Sequence, residues 1–176
     1  MKRNILKTVV CLALIALIGS CSSEDSVQMN EAENGTFSAK TSVWDGVIGE
    51  DRGGVFFITG NKAGMIADLE QSMTDLGMPT TISNLEIVEK TAANNPNDKG
   101  HMLVATGSSN TSIGIMLSKG GNQFVIPRPA NDSFVRTVCK GCASGCNLRY
   151  YTIDDYRLAY CEENGCVYDC EKLQFD

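Results

Sequence analysis

Six cysteines near the C-terminus are the residues whose type and spacing best suit chemistry. An even number of clustered cysteines in an exported chain is typical of a disulfide framework. The Asn164-Gly165 pair predicts a two-residue hairpin turn, which would leave Cys161 and Cys166 out of register with each other. We therefore predict that each of the first three cysteines bonds to one of the last three. The six are Cys139, Cys142, Cys146, Cys161, Cys166 and Cys170.

The first three cysteines also allow a second chemistry. Thiolates at short spacing converge readily on zinc or an iron–sulfur cluster, so Cys139, Cys142 and Cys146 with a fourth, later ligand would form a metal site. Covalent haem would need a histidine where Ala143 stands. The leading prediction is a protein without metal or cofactor, and the alternative is a metal-binding or thiol-redox envelope protein.

Catalysis by other side chains has little support in the sequence. His101 is the sole histidine and thus the only conventional base for a serine or cysteine nucleophile. No glycine-rich phosphate loop, metal-protease helix or hydrolase elbow is present. We predict no catalytic residue, although His101 in a cleft beside a carboxylate would favour a hydrolase.

The tyrosines are concentrated in the same C-terminal segment. Tyrosine offers a broad contact area at a low cost in conformational entropy, which is why binding surfaces use it. We predict that these rings form an interaction surface, and the open alternative is that they pack a small core. All five tyrosines lie among the cysteines: Tyr150, Tyr151, Tyr156, Tyr160 and Tyr168.

The N-terminus of the chain is typical of a secretory signal. Three basic residues occur among the first seven, and residues 5–18 are mostly apolar but too few to span a bilayer permanently. The ending Leu17-Ile18-Gly19-Ser20-Cys21 resembles the lipobox of bacterial lipoproteins. This resemblance implies a signal peptide over 1–20, acylation of Cys21 by palmitate-type chains, and a stable membrane anchor.

Two further features resemble lipoproteins of Bacteroidota-type bacteria. Residues 22–26, Ser-Ser-Glu-Asp-Ser, resemble the acidic export tag of their surface lipoproteins, and an ordinary solvated tether has the same composition. The segment over 139–170 resembles the ends of small cysteine-rich lipoproteins from these bacteria. The resemblances imply a lipid-anchored protein of the cell envelope, in the outer membrane, and leave its surface or periplasmic face open. They imply no activity.

The charge of the mature chain argues against a polyanionic partner. Removing residues 1–20 takes away three of the 15 basic residues and none of the 21 acidic ones, so the formal charge changes from −6 to −9. Nucleic acid is therefore not an expected partner. The predicted partners are the membrane, through lipid on Cys21, and a protein or glycan ligand of unknown identity.

Hydrophobic patterning predicts a flexible tether over 21–42 and an α+β domain over 43–130. A helix is expected between Asn61 as its cap and Gly77 as its end. Alternating or continuous apolar runs predict strands, and Asn94 to Asp98 is expected to be a turn. The strand-forming runs are 54–59, read as a buried strand, 85–87, 102–105, 113–117 and 124–126.

The resulting fold class is α+β, a mostly antiparallel sheet with one helix packed on it. A small disulfide-rich β-hairpin module is expected over 131–176, with Asp154-Asp155 at one hairpin turn. The function predicted for this arrangement is non-enzymatic binding by an envelope-anchored interaction module.

Overall fold

A computed structural model describes residues 42–128, 133–141, 146–154, 156–163 and 170–175. The predicted signal peptide, Cys21 and the tether up to residue 41 lie outside these residues, and the described part belongs to one compact unit, Lys40–Asp176. Its elements in chain order are β1 (Val47–Asp51), β2 (Phe56–Ile58), α1 (Lys62–Asp75), β3 (Ile82–Ala92), β4 (Asn95–Gly107), β5 (Thr111–Gly120), β6 (Gln123–Val125), β7 (Arg136–Lys140), β8 (Cys146–Ile153), β9 (Tyr156–Glu163) and β10 (Glu171–Phe175).

Helix α1 forms where the sequence predicts it. Asn61 caps its start, because the side-chain Oδ1 accepts a hydrogen bond at 2.9 Å from the backbone N–H three residues later. After its end, Gly77 has a φ of +75°, the left-handed conformation that glycine adopts without strain. The buried residues Met65, Leu69 and Met73 lie on one face at helical spacing. The prediction of this helix is confirmed.

The main sheet is built on β5. One edge of β5 pairs with β4 over 112–117, and its other edge is shared by β7, over 111–114, and β6, over 118–120. From there β3 joins β4, β10 joins β7, and β1 joins β6 and β2. All of these pairings are antiparallel, and the sheet curls until β2 lies beside β3.

The two faces of this sheet carry two separate cores. Successive residues of a strand point to opposite faces, so in β4 Leu103 faces α1 while Met102 faces the hairpin β8–β9. The core on the first face, here called the helix-side core, contains the buried α1 residues with Trp44, Ile48, Leu85, Ile115 and Phe124 among others. The hairpin-side core contains Ala92, Met102, Cys139, Cys146, Leu148, Tyr150 and Ala159.

Several local predictions need correction or refinement. The run over 54–59 is not a buried strand, because β2 lies at the sheet edge and leaves Phe57 42 % exposed. The turn expected over Asn94 to Asp98 is shorter, since β4 already begins at Asn95. The hairpin turn at Asp154 is confirmed by the pairing of Ile153 with Tyr156. The turn predicted at Asn164-Gly165 lies outside the described residues.

The predicted C-terminal module shares its strands with the main sheet. β7 pairs with both β5 and β10, so two strands from the segment 131–176 extend that sheet. Only β8 and β9 form a separate two-stranded sheet. The fold class is confirmed: a mostly antiparallel sheet, one helix on it, and a disulfide-bonded C-terminal hairpin.

Candidate functional site

Two disulfides attach the hairpin β8–β9 to the strands beside it. Cys139 of β7 bonds to Cys161 of β9, and Cys146 of β8 bonds to Cys170, which directly precedes β10. The Cα atoms are 5.5 and 5.8 Å apart, within the usual range for a disulfide. Both bonds join one of the first three cysteines to one of the last three, as the pairing rule predicts. Each strand of the hairpin is thus covalently tied.

The remaining members of the cysteine and tyrosine sets, Cys142, Cys166 and Tyr168, lie outside the described residues. If all six cysteines are oxidised, the pairing rule leaves Cys142 and Cys166 as the third pair. The alternative metal site would need both observed bonds reduced, because the sulfurs of Cys139 and Cys146 are already bonded. Within the described ranges, no group of three or more potential metal ligands occurs.

Tyr150 fills the centre of the hairpin-side core and is fully buried. Its hydroxyl donates to the backbone carbonyl of Asp98 at 2.8 Å. The ring fits because residue 100 is a glycine: a Cβ on Gly100 would lie 2.9 Å from the ring's Cζ. Burial raises the pKa of the Tyr150 hydroxyl. Tyr150 is therefore a packing residue, and its ring is not available for the predicted interaction surface.

A polar network joins the tip of the hairpin to the start of β4. The Asp98 carboxylate accepts hydrogen bonds from the Arg157 guanidinium and the Thr152 hydroxyl. Both bonds hold the pKa of Asp98 below its usual range, and the bond from Arg157 has the larger effect. Asp98 in turn raises the pKa of Arg157. The backbone of Thr152 also bonds the Asn94 amide, at 2.7 and 3.0 Å. The network fixes the hairpin and leaves these two charges compensated.

The outward face of the hairpin carries the accessible tyrosines. Tyr151 and Tyr160 pack against each other with ring centroids 5.6 Å apart. Next to them, Tyr156 is 74 %, Ile153 51 % and Leu158 41 % exposed. The strand register places Ile153 opposite Tyr156 and Tyr151 opposite Leu158, so these side chains are contiguous. We call these five residues the outer hairpin face.

A cleft of about 910 Å³ opens between β9 and the main sheet. This volume lies within the roughly 300–1,000 Å³ of small-molecule binding sites. Its apolar lining includes Ile126, Phe134, Val135 and Leu158, and the Tyr156 ring also lines it. Among the described residues, the polar ones that line it are Asn95, Asn97, Asp98, Ser118, Arg128, Ser133, Thr137, Thr152, Arg157 and Gln174.

One wall of the cleft is an opening in the sheet. β7 pairs with β5 as far as Gly114 and β6 pairs with it only from Ser118. Ile115, Met116 and Leu117 therefore have no strand partner on that edge within the part of the chain that the structure describes, and all three line the cleft. Ile115 and Leu117 are each only 2 % exposed, so this interruption of the strand pairing, here called the notch, is covered and does not open their backbone groups to solvent.

His101 lies away from the cleft and among aromatic rings. It is 9 % exposed, and its ring centroid is 5.0 Å from that of Phe56 and 4.7 Å from that of Phe124. Its Nε2 lies 3.9 Å from the Glu89 carboxylate. Burial lowers the pKa of His101, and Glu89 opposes that effect in part. The residue has a neighbouring carboxylate, as a hydrolase would require, but it does not line the cleft.

The cleft and its polar network were not predicted from the sequence. Arg157 and Asp98 are 59 residues apart, so no local spacing links them. The alternation of Tyr156, Arg157 and Leu158 was a usable signal, because a period of two puts the arginine on the face opposite the two apolar residues. The notch had no sequence signal, since it results from two strands sharing one edge of β5.

The comparison with known proteins adds no relative. Among the described residues, no helix is both long enough and apolar enough to cross a bilayer. The chain matches no protein-family model, and no curated protein or solved structure is significantly similar to it.

Proposed function

We propose that this protein is an envelope-anchored lipoprotein, held in the membrane by lipid on Cys21, that acts as a non-enzymatic binding module. Its binding part is the outer hairpin face together with the cleft beside it. The observation that carries the proposal is the exposure of three large side chains at the cleft: Tyr156 at 74 %, Val135 at 54 % and Leu158 at 41 %. Clustered apolar exposure of this kind marks places where proteins meet ligands or partners.

The rigid support of the hairpin favours binding. Two disulfides, the Tyr150 ring and the Asp98 network hold it from the inner side. A surface that is ordered beforehand loses little conformational entropy when a ligand arrives. Catalysis lacks a conventional base at this place, because His101 is the chain's only histidine and does not line the cleft. The proposed module needs no metal or cofactor.

The binding function is tested with the full lipidated chain and envelope fragments from cells that lack it. Replacing Val135 and Leu158 together by serine should weaken saturable binding at least tenfold, because each loses about 1 kcal/mol or more of apolar contact. The matched control is Val55→Ser, which removes a 56 % exposed valine outside the cleft. Equal binding by the double variant and the wild type would overturn the proposal.

The anchor is tested separately by growing cells with an alkyne-tagged palmitate. The wild-type chain should incorporate the label and fractionate with the outer membrane, and Cys21→Ser should do neither. A mature product that retains Met1, or an unlabelled wild type, would contradict the lipoprotein assignment. Protease treatment of intact cells then decides between the surface and the periplasmic face.

A further inference from the structure

Strand β2 is held to the sheet by few backbone hydrogen bonds. It has three residues, and among the described strands it pairs only with β1, over Gly49 to Asp51. On its other side it lies beside β3, and no pairing between these two strands occurs in the described ranges. The loop that leads into β2 contains Gly53 and Gly54, both with a positive φ that glycine adopts without strain. A short edge strand of this kind opens at a lower free energy than the centre of a sheet.

The Phe56 side chain attaches β2 to the main sheet through a cluster of three rings. Its ring lies edge-on to those of His101 on β4 and Phe124 on β6, with centroids 5.0 and 5.5 Å apart. The rings of His101 and Phe124 are themselves 4.7 Å apart, so all three contact one another. Phe124 is fully buried and His101 nearly so. β2 therefore packs on a side chain that can change its charge near neutral pH.

The charges that surround the imidazole are already compensated. On β3, one oxygen of Glu89 lies 3.9 Å from His101 Nε2, and the other oxygen accepts a hydrogen bond from Lys99 at 2.8 Å. On β1, Asp51 is paired with Lys119 of β5. Each nearby carboxylate thus has its own lysine, while β2 and β6 contribute only aromatic rings to the cluster. The charged groups in this region are Asp51, Glu89, Lys99, Lys119 and, on β9, Arg157.

A proton on His101 adds a positive charge to this buried cluster. Burial of a charge without a partner of its own is costly, and an open β2 would admit water to the imidazolium. The neutral ring therefore favours the closed position of β2, and the charged ring favours the open one. Burial lowers the pKa of His101 below 6.5, and Glu89 opposes this effect only in part, so acidification shifts the equilibrium toward opening.

We propose that the ring cluster around His101 is a pH switch, in which protonation of the imidazole releases β2 and the loop over 52–55 while α1 stays folded on the sheet. Release exposes the Phe56 ring to solvent. The inference is independent of the proposed binding function, because neither Phe56 nor His101 lines the cleft or belongs to the outer hairpin face.

The test is hydrogen–deuterium exchange of the full lipidated chain in detergent, with each rate divided by the intrinsic rate of its peptide. Measurements at about pH 7.5 and about pH 5 bracket the usual pKa of histidine. We expect the opening constant of 52–58 to rise about threefold or more on acidification, and by at most about tenfold per pH unit. The opening constant of the helix peptide 65–73 should stay the same.

Three variants assign the effect to the proposed groups. His101→Phe keeps a ring and should make the exchange of β2 equal at the two pH values. Glu89→Gln removes the carboxylate that opposes the effect of burial, so the rise on acidification should be larger than in the wild type. Its matched control is Glu86→Gln, an exposed glutamate on the opposite face of β3, which should behave as the wild type does. Phe56→Ala should open β2 at both pH values.

A rise confined to 52–58, absent in His101→Phe and larger in Glu89→Gln, supports the inference. A rise that persists in His101→Phe assigns the pH response to another group and overturns it. Equal opening of 52–58 and 65–73 shows that acid destabilises the whole helix side, which overturns local release. Exchange of β2 that does not depend on pH in the wild type also overturns the inference.

Discussion

The two faces of the main sheet are covered by different means. On the helix side, α1 packs an apolar stripe on the sheet, and its N-cap is formed by a residue at its own start. No disulfide among the described residues joins α1 to the sheet. On the hairpin side, two disulfides bridge sequence separations of 22 and 24 residues, and one buried tyrosine occupies the centre. The helix side is therefore maintained by burial of apolar surface, and the hairpin side depends on covalent bonds and close fit.

This difference suits a binding module. The hairpin β8–β9 exposes apolar side chains on its outer face, so it has less apolar surface left for its own core. Small cores are commonly reinforced by disulfides for this reason. The sole tryptophan, Trp44, lies in the helix-side core at 2 % exposure and gives that side its own fluorescence signal. The two sides can thus be followed separately.

Reduction of the disulfides should have the largest effect. Each described bond closes a loop of just over twenty residues, which corresponds to about 3 kcal/mol of stability. We expect mild reductant to release the hairpin to limited proteolysis while Trp44 fluorescence stays native. Simultaneous loss of both signals would show that the two sides form one cooperative unit.

The same sample tests the alternative metal or redox chemistry. Alkylation before reduction should leave the intact mass unchanged, because all six C-terminal cysteines are predicted to be in disulfides. Peptide mapping should then recover Cys142 with Cys166. Free thiols on Cys139 or Cys146, or a retained metal, would favour the alternative instead.

Tyr150→Ala should have the next largest effect, about 3–5 kcal/mol, because it removes a fully buried aromatic ring. The matched variant Tyr150→Phe keeps the ring and loses only the hydroxyl, which donates to the backbone carbonyl of Asp98 and lies 3.3 Å from that of Lys90, so about 1 kcal/mol is expected. Urea unfolding monitored by far-ultraviolet circular dichroism measures both. Equal losses for the two variants would mean that the hydroxyl, and not the ring, holds the hairpin.

The helix side was largely predictable from the sequence, and particular residues show why. Asn61, Gly77 and the buried face of α1 act within one or two turns of chain, so periodicity and cap chemistry are sufficient. The prediction of a buried strand over 54–59 was wrong, because apolar composition alone does not distinguish a buried strand from an edge strand. Phe57 is exposed at that edge.

The hairpin side was predictable only in outline. The cysteine pattern predicted the pairing rule. The alternation of Tyr156, Arg157 and Leu158 indicated which side chains lie on the same face of the hairpin. The role of Tyr150 was not predictable, because its burial depends on Gly100 and Asp98, which lie 50 and 52 residues away in the chain. The cleft likewise depends on pairing between distant strands, which the sequence does not specify locally.

Gly100→Ala should destabilise the hairpin side by a smaller amount, about 1–3 kcal/mol. The new Cβ would lie 2.9 Å from the Tyr150 ring, so the ring must shift in a filled core. Gly120→Ala is the matched control, because no atom lies within 4 Å of a Cβ there. Unfolding free energies should separate the two variants, and equal values would show that the hairpin shifts without cost.

The smallest effect on stability should come from a change of pH. It arises from His101, which lies at the edge of the helix-side core. Burial lowers the pKa of His101 below its usual value of 6.5, so the unfolded chain binds the proton more readily than the folded protein. Stability should therefore be full above about pH 6.5 and should fall on acidification, by at most about 1.4 kcal/mol per pH unit.

A non-titrating variant isolates this contribution. His101→Phe keeps a ring against Phe56 and Phe124, and it should remove the slope between about pH 5 and 7. Asp51 and Glu89 do not confuse this window, because Lys119 and Lys99 lower their pKa values from 3.8 and 4.5, and their contributions are lost only at more acid pH. A slope that persists in His101→Phe would assign the effect to another group. If the His101→Phe substitution changed the pH dependence of Trp44 fluorescence and left proteolysis of the hairpin unchanged, the helix side would respond independently of the hairpin side.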